Sequence, residues 1–335
     1  MVTLRNLTND GFDLAAGAQE RHLKSVALLT LESAVKAYFS TYKTMRLSLH
    51  LFDNTKLERP TIEFNHNHDY AAASTECLLH FQHFAELTCK DLLVEEIAAG
   101  QLSRPAKNVH RLNFGNVLDL LVAHSPARVA QQIASRHEHT LRELARLRNH
   151  LIHEGTFVLL YPALDQLVGE YILPFVSAVV ALPQYSTMGG FWRHAPLASG
   201  IDPLSEVEMH FAAGRYDLRQ IAYLKELGRA AYASPMRAHP IAKAFNERYR
   251  LRYENVARSV LEREHDVREA RKCPVCGVNA LVLFVERDHD EETGDAWWYI
   301  YEVQCFCCSF QVNDALGNAS AHGVSIEDYF SGGNL

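Results

Sequence analysis

The strongest constraint on this 335-residue chain is a pair of cysteine doublets, "CPVCG" at 273–277 and "CFCCSF" at 305–310. Each holds cysteines separated by two residues, a spacing that lets one tight turn aim two thiolates at one point. Two such knuckles supply four sulfur donors and fill a tetrahedral coordination sphere. A metal held there is structural, with no open position for catalysis. The other two cysteines, Cys77 and Cys89, sit alone in helical text. Clustered cysteines with no secretory signal predict metal binding in a reducing compartment rather than a disulfide framework. The expected ligands of a structural Zn2+ are Cys273, Cys276, Cys305 and Cys308, with Cys307 as the alternative to Cys305. Between the knuckles, "ALVLFVER" and "AWWYIYEVQC" are rich in β-branched and aromatic residues, and "DHDEETGD" reads as their hairpin loop. So small a ribbon builds little core, and metal supplies much of its folding free energy. Trp297, Trp298, Tyr299 and Tyr301 read as its core and faces, with base stacking as the alternative role.

The rest of the chain reads as helix. Apolar periodicity predicts helices over about 18–50, 70–99 (stopping at Gly100), part of "NFGNVLDLLVAH", 126–153 (with Gly155 just beyond) and 160–182. Residues 53–69 read as a loop, with His66, His68 and Asp69 as a polar run and Asp69 as N-cap of the next helix. His137 and His139 read as surface residues. The stretch 183–206 is rich in Pro, Gly and Ser and marks a boundary. Two or three helices follow, the last a charged, solvated run, "NERYRLRYENVARSVLEREHDVREARK". The expected fold is mainly α: a helical bundle over 1–183, a linker over 184–206, a helical connector over 207–270, a zinc ribbon over 271–318 and a tail over 319–335.

The net charge of −7 argues against a protein that coats nucleic acid nonspecifically, yet leaves room for a local basic site. The start, "MVTLRNLTNDGF", lacks the basic-then-apolar pattern of a secretory signal. The most apolar window, 167–183, carries Glu170 and Pro174, is short for a bilayer span and reads as a buried helix. A cytoplasmic protein without a membrane partner is the expectation.

One helix does not fit a plain core. At about 100° per residue, Leu141, Leu144, Ala145, Leu147, Leu151 and Ile152 form one apolar arc in "ELARLRNHLIHEG" (143–155) and the turn before it. Arg148 falls inside that arc, and Asn149 and His153 share its rim at i, i+4. Arg142 and Arg146 lie beside them. An arginine in an apolar arc is costly to bury without a partner, so it meets an acid or lines a cleft. The preceding long helix offers Glu86 and Lys90 at the flank of its own arc, and Glu86 is the expected partner that orients Arg148.

"RNHLIH" (148–153) resembles the Arg-x4-6-His motif of the HEPN superfamily, the higher eukaryotes and prokaryotes nucleotide-binding helical bundles. The polar residue after the arginine fits Asn149, and "ELTCKDLL" (86–93) is compatible with that family's acidic residue and nearby lysine on an earlier helix. The resemblance covers about residues 18–183. It implies a HEPN-like bundle and metal-independent RNA cleavage at a composite site between two copies. Arg148 would hold the scissile phosphate, His153 would be general base or acid, and Asn149 would orient His153 or touch phosphate. Glu86, Lys90, Arg142 and Arg146 would support them. It further implies a homodimer acting on RNA, a toxin or antiviral effector held in check by an antitoxin or trigger protein. Some toxin members carry a modified Tyr two residues after the histidine; here that position is Gly155, so such neutralisation is not expected. The alternative is a nucleic-acid or nucleotide-binding protein that does not cut.

Overall fold

A computed structural model describes residues 19–45, 68–102, 108–123, 129–155, 158–159, 161–186, 192–194, 196–236, 243–289, 293–294, 296–313 and 316. The fold is mainly helical, with a small antiparallel sheet near the C-terminal end. The helices are α1 (Gln19–Met45), α2 (His68–Ala98), α3 (Phe114–Val122), α4 (Val129–Arg136) and α5 (Glu138–Glu154). They continue with α6 (Tyr161–Val180), the single turn α7 (Pro183–Ser186), α8 (Pro203–Ala212), α9 (Leu218–Ala233) and α10 (Lys243–Arg263). The strands are β1 (Val267–Arg271), β2 (Leu281–His289), β3 (Ala296–Cys305) and β4 (Gln311–Asn313).

The helix ends follow local chemistry. Asn113, Asp202 and Asp217 cap α3, α8 and α9, each side chain accepting from a backbone N–H in the first turn. Gly100 and Gly155 end α2 and α5 in the left-handed conformation that glycine adopts at no steric cost, with φ of +70° and +65°.

Several expectations need correction. Helix α2 begins at His68, so Asp69 lies in its first turn rather than at the N-cap, while His66 falls outside the described residues. The expected helix over 126–153 is two helices broken at His137. No Gly or Pro marks that break. His137 is buried, not on the surface, with its ring edge-on to Phe175 at 5.6 Å. Helix α6 carries a π-helical turn, Leu167–Ile172. Pro174 accounts for it: a helical proline lacks an N–H and crowds the carbonyl four residues back, here within the widened turn. The last charged run stops being helical at Arg263, and Val267–Arg271 is strand β1.

The chain divides into two compact units, each built from several stretches of sequence. One unit comprises Met1–Ala34, Leu78–Phe157 and Phe175–Trp192; the other comprises Val35–Cys77, Val158–Pro174 and Arg193–Leu335. In the first, α3, α4 and α5 pack on one another. Leu141, Leu144, Leu147 and Leu151 are buried there, and Phe84 meets Phe175 edge-on at 6.0 Å. The second unit holds the sheet, with strand order β1-β2-β3-β4, all antiparallel. Burying a Val or Leu side chain of the sheet contributes about 1.5–3 kcal/mol. Leu281, Val282, Leu283, Val285 and Val303 supply that burial.

Helix α6 is long and apolar enough, by length and composition, to cross a membrane, and half of it is buried. Its Asp165 is fully buried in an ion pair with Lys225 of α9.

Candidate functional sites: a cysteine cluster and an arginine–histidine helix

The Sγ atoms of Cys273, Cys276, Cys305 and Cys308 all lie within 4.8 Å of one another. Cys273 and Cys308 are 3.6 Å apart and Cys276 and Cys305 are 3.7 Å apart, too far for disulfides. Four sulfurs held at about 2.3 Å by one tetrahedral ion sit about 3.8 Å from each other. The geometry therefore fits a single tetrahedral metal, and these four residues are positioned to hold it.

The backbone explains why these four and not Cys307. The two knuckles repeat each other hydrogen bond for hydrogen bond. In the first, Cys273 N donates to Val278 O (2.9 Å), Gly277 N to Cys273 O (3.0 Å) and Val275 N to Cys273 Sγ (3.4 Å). In the second, Cys305 N donates to Phe310 O (2.7 Å), Ser309 N to Cys305 O (3.0 Å) and Cys307 N to Cys305 Sγ (3.4 Å). Cys305 thus corresponds to Cys273, and Cys307 stands where Val275 stands. Residues 277 and 309 both take positive φ, +72° and +58°. Gly277 does so freely; Ser309 does so at the steric cost of a Cβ in that region.

Both knuckles are tied into their unit. Arg229 of α9 donates to Ser309 O and, at 3.3 Å, to Ser309 Oγ, and its guanidinium is braced by buried Glu226 at 2.7 Å. Glu226 also accepts from Gln311 N at 2.7 Å. Ala198 N and Ser199 N donate to Val275 O and Pro274 O, and Arg250 of α10 donates to Gly277 O at 3.0 Å. No local sequence pattern marks this clasp, because it joins residues about 80 positions apart.

The second candidate lies on α5, within the first unit. Its buried arc holds Leu141, Leu144, Leu147 and Leu151 but not Ile152, which is 49% exposed. Arg148 sits half-buried at the arc's edge. Its Nη1 donates to Asn149 Oδ1 at 3.0 Å. His153 is exposed in the last turn before Gly155.

Other basic side chains of this surface face acids. Arg142 pairs with Asp119 at 2.7 Å and Glu138 at 2.8 Å, and Arg146 with Glu143 at 2.5 Å. His150 sits 2.6 Å from Glu154. Arg142 and Arg146 are thus both held by acids. The expected Glu86–Arg148 contact does not form. Glu86 accepts from Lys90 at 2.7 Å and Gln82 at 3.0 Å. Burial pushes the Glu86 carboxyl up, but those two hydrogen bonds outweigh it and hold it below the usual carboxylate range. Among the described residues, neither Arg148 nor His153 has an acidic partner.

Comparison of the chain with models of known protein families, with characterised proteins and with solved structures found no match.

Proposed function

We propose that this chain is a metal-independent endoribonuclease of HEPN type, acting at a site shared between two copies and serving as a growth-restricting or antiviral effector. One observation carries the reading. On α5 Arg142, Arg146 and His150 face carboxylates, while among the described residues Arg148 and His153 face none. A phosphate-binding guanidinium and a titrating imidazole need that freedom.

The chemistry follows from the residue types. A guanidinium binds phosphate through two parallel N–H bonds and stabilises the charge that builds in the transition state. An imidazole takes and returns protons near neutral pH. His153 would remove the proton of a ribose 2′-OH, or protonate the leaving 5′-oxygen. The 2′-oxygen bonds to phosphorus as the bond to the 5′-oxygen breaks, leaving a 2′,3′-cyclic phosphate and a 5′-hydroxyl. DNA, which lacks the 2′-OH, is not a substrate. Five positions separate the two residues, which puts them about 140° apart around a helix. One copy does not aim both at one phosphorus, and a second copy supplies the facing groups.

The four-cysteine cluster holds zinc in this reading, since an all-thiolate tetrahedral set suits that ion. Its coordination sphere is filled, so it stabilises the fold and leaves the cleavage step to protein side chains.

The test is incubation of wild type, Arg148→Ala and His153→Ala with labelled RNA and with DNA of the same sequence, under brief chelation. Wild type should release cyclic-phosphate ends from RNA alone, with each variant slower by about 100-fold or more. Equal cleavage by all three, or 5′-phosphate products, would overturn the assignment. Binding without cleavage by all three supports the non-cutting alternative.

A further inference from the structure

Helix α10 carries six cations against three anions in a chain whose net charge is −7. Its charges are not evenly spread. Buried Ala257 and half-buried Leu261 lie on one side, together with Arg250, which is bonded to Gly277 O and Glu254. At about 100° per residue these positions, 250, 254, 257 and 261, fall within one narrow arc, the side turned to the knuckle. Arg248, Tyr249, Arg252, Val256 and Arg263 fall on the opposite side. All five are exposed, Tyr249 by 42% and Val256 by 40%. No glutamate shares their arc: Glu247, Glu254 and Glu262 all project elsewhere. Among the described residues, none of the three arginines has an ion pair or hydrogen-bond partner.

An arginine face free of acids, kept uncompensated in an acidic protein, costs self-repulsion unless an anion neutralises it. The three arginines span about 22 Å of helix axis. That length suits a polyanion rather than a single phosphate. Tyr249, among them, offers a ring on which an unpaired base stacks. Three apolar side chains of α10 are exposed, Tyr249, Leu251 and Val256, and Leu251 points well away from the other two, so they form no broad apolar stripe of the kind that buries a face in lipid. We infer that the outward face of α10 is a binding surface for single-stranded nucleic acid, with the phosphate backbone on Arg248, Arg252 and Arg263 and a base on Tyr249. The surface lies in a different unit from α5 and does not depend on cleavage there.

The full-length, metal-loaded chain is titrated against a fluorescein-labelled 20-nucleotide polyuridine, matched polydeoxyuridine and a matched duplex, over a range of salt. The His153→Ala background prevents cleavage during the measurement. The partner variant changes Arg248, Arg252 and Arg263 together to Gln. Wild-type background should bind both single strands, and the triple change should flatten the slope of log K against log salt by about 2, since each single-strand phosphate contact contributes about 0.7. Tyr249→Ala should weaken the single strands more than the duplex. Arg258→Gln, also exposed and, among the described residues, without an ion pair, but outside the arc, should change nothing. Unchanged affinity and slope in the triple variant, with metal content intact, would overturn the inference. So would absence of binding in the parent, or binding only to vesicles containing anionic lipid. RNA cleavage can fail while this binding holds, and the reverse, so the two results are separable.

Discussion

Lys225 and Asp165 are both fully buried, and the pair is boxed by aromatic rings. The ammonium lies 4.0 Å from the Tyr161 ring centre and 4.4 Å from that of Tyr38, while Tyr216 donates to Asp165 at 3.2 Å. Burial drives both groups toward neutrality, lowering the lysine and raising the aspartate, and their mutual attraction opposes it. Such a pair costs about as much to desolvate as it returns, whereas a broken pair leaves an orphan charge. Lys225→Met alone should therefore destabilise the protein by about 3–5 kcal/mol. Lys225→Met with Asp165→Leu should recover most of that loss. The unfolding midpoint in denaturant checks both, and a double variant weaker than the sum of the singles would contradict the argument. The pair was invisible in sequence because Lys225 looks like any helical lysine until a residue 60 positions earlier is placed beside it. His137 was misread for the same reason: what buries it is Phe175, far along the chain.

Elements written in local chemistry were legible, and those made by distant pairing were not. The Cys-x-x-Cys turns depend on residues within a few positions, so the cluster of Cys273, Cys276, Cys305 and Cys308 could be read directly. Glycine stops marked the C-terminal ends of α2 and α5 for the same reason. Strand β1 is different. "VREAR" has the composition of a solvated helix and becomes strand only because β2 offers its edge. The choice between Cys305 and Cys307 was open in sequence and is fixed by the backbone match of the two knuckles. It follows that Cys307→Ser should retain one equivalent of metal, and Cys305→Ser should lose it or bind far more weakly. Mass spectrometry under native conditions, before and after a chelator pulse, reads this directly. Loss of metal in both variants would mean that the second knuckle ligates differently. Losing the ion should also release the clasp of Arg229 and Glu226, so protease cutting near residue 309 should rise in Cys305→Ser and not in Cys307→Ser.

At the scale of the whole molecule, the sequence pointed to Arg148, Asn149 and His153 but not to how they are wired. Arg148, which the helical wheel puts inside the apolar arc, lies half-buried at its edge. The sequence also predicted a second-helix acid as its partner, and that acid instead holds Lys90. A helical wheel reports direction and not distance, so it names faces but not partners. The proposed reading asks one copy to supply Arg148 and another to supply a facing His153, through the self-complementary contact of a two-fold dimer. Mixing experiments separate that arrangement from a site complete within one chain. Arg148→Ala and His153→Ala chains, each inert toward RNA, are combined, exchanged under mild denaturant and returned to native buffer. In hybrid pairs one intact arginine and one intact histidine remain, and a shared site should regain a measurable fraction of wild-type cleavage. Recovery should grow with total protein concentration, because hybrids form by association. A mixture as inert as its components, while both variants still associate, would mean that the groups of two chains never meet on one phosphate.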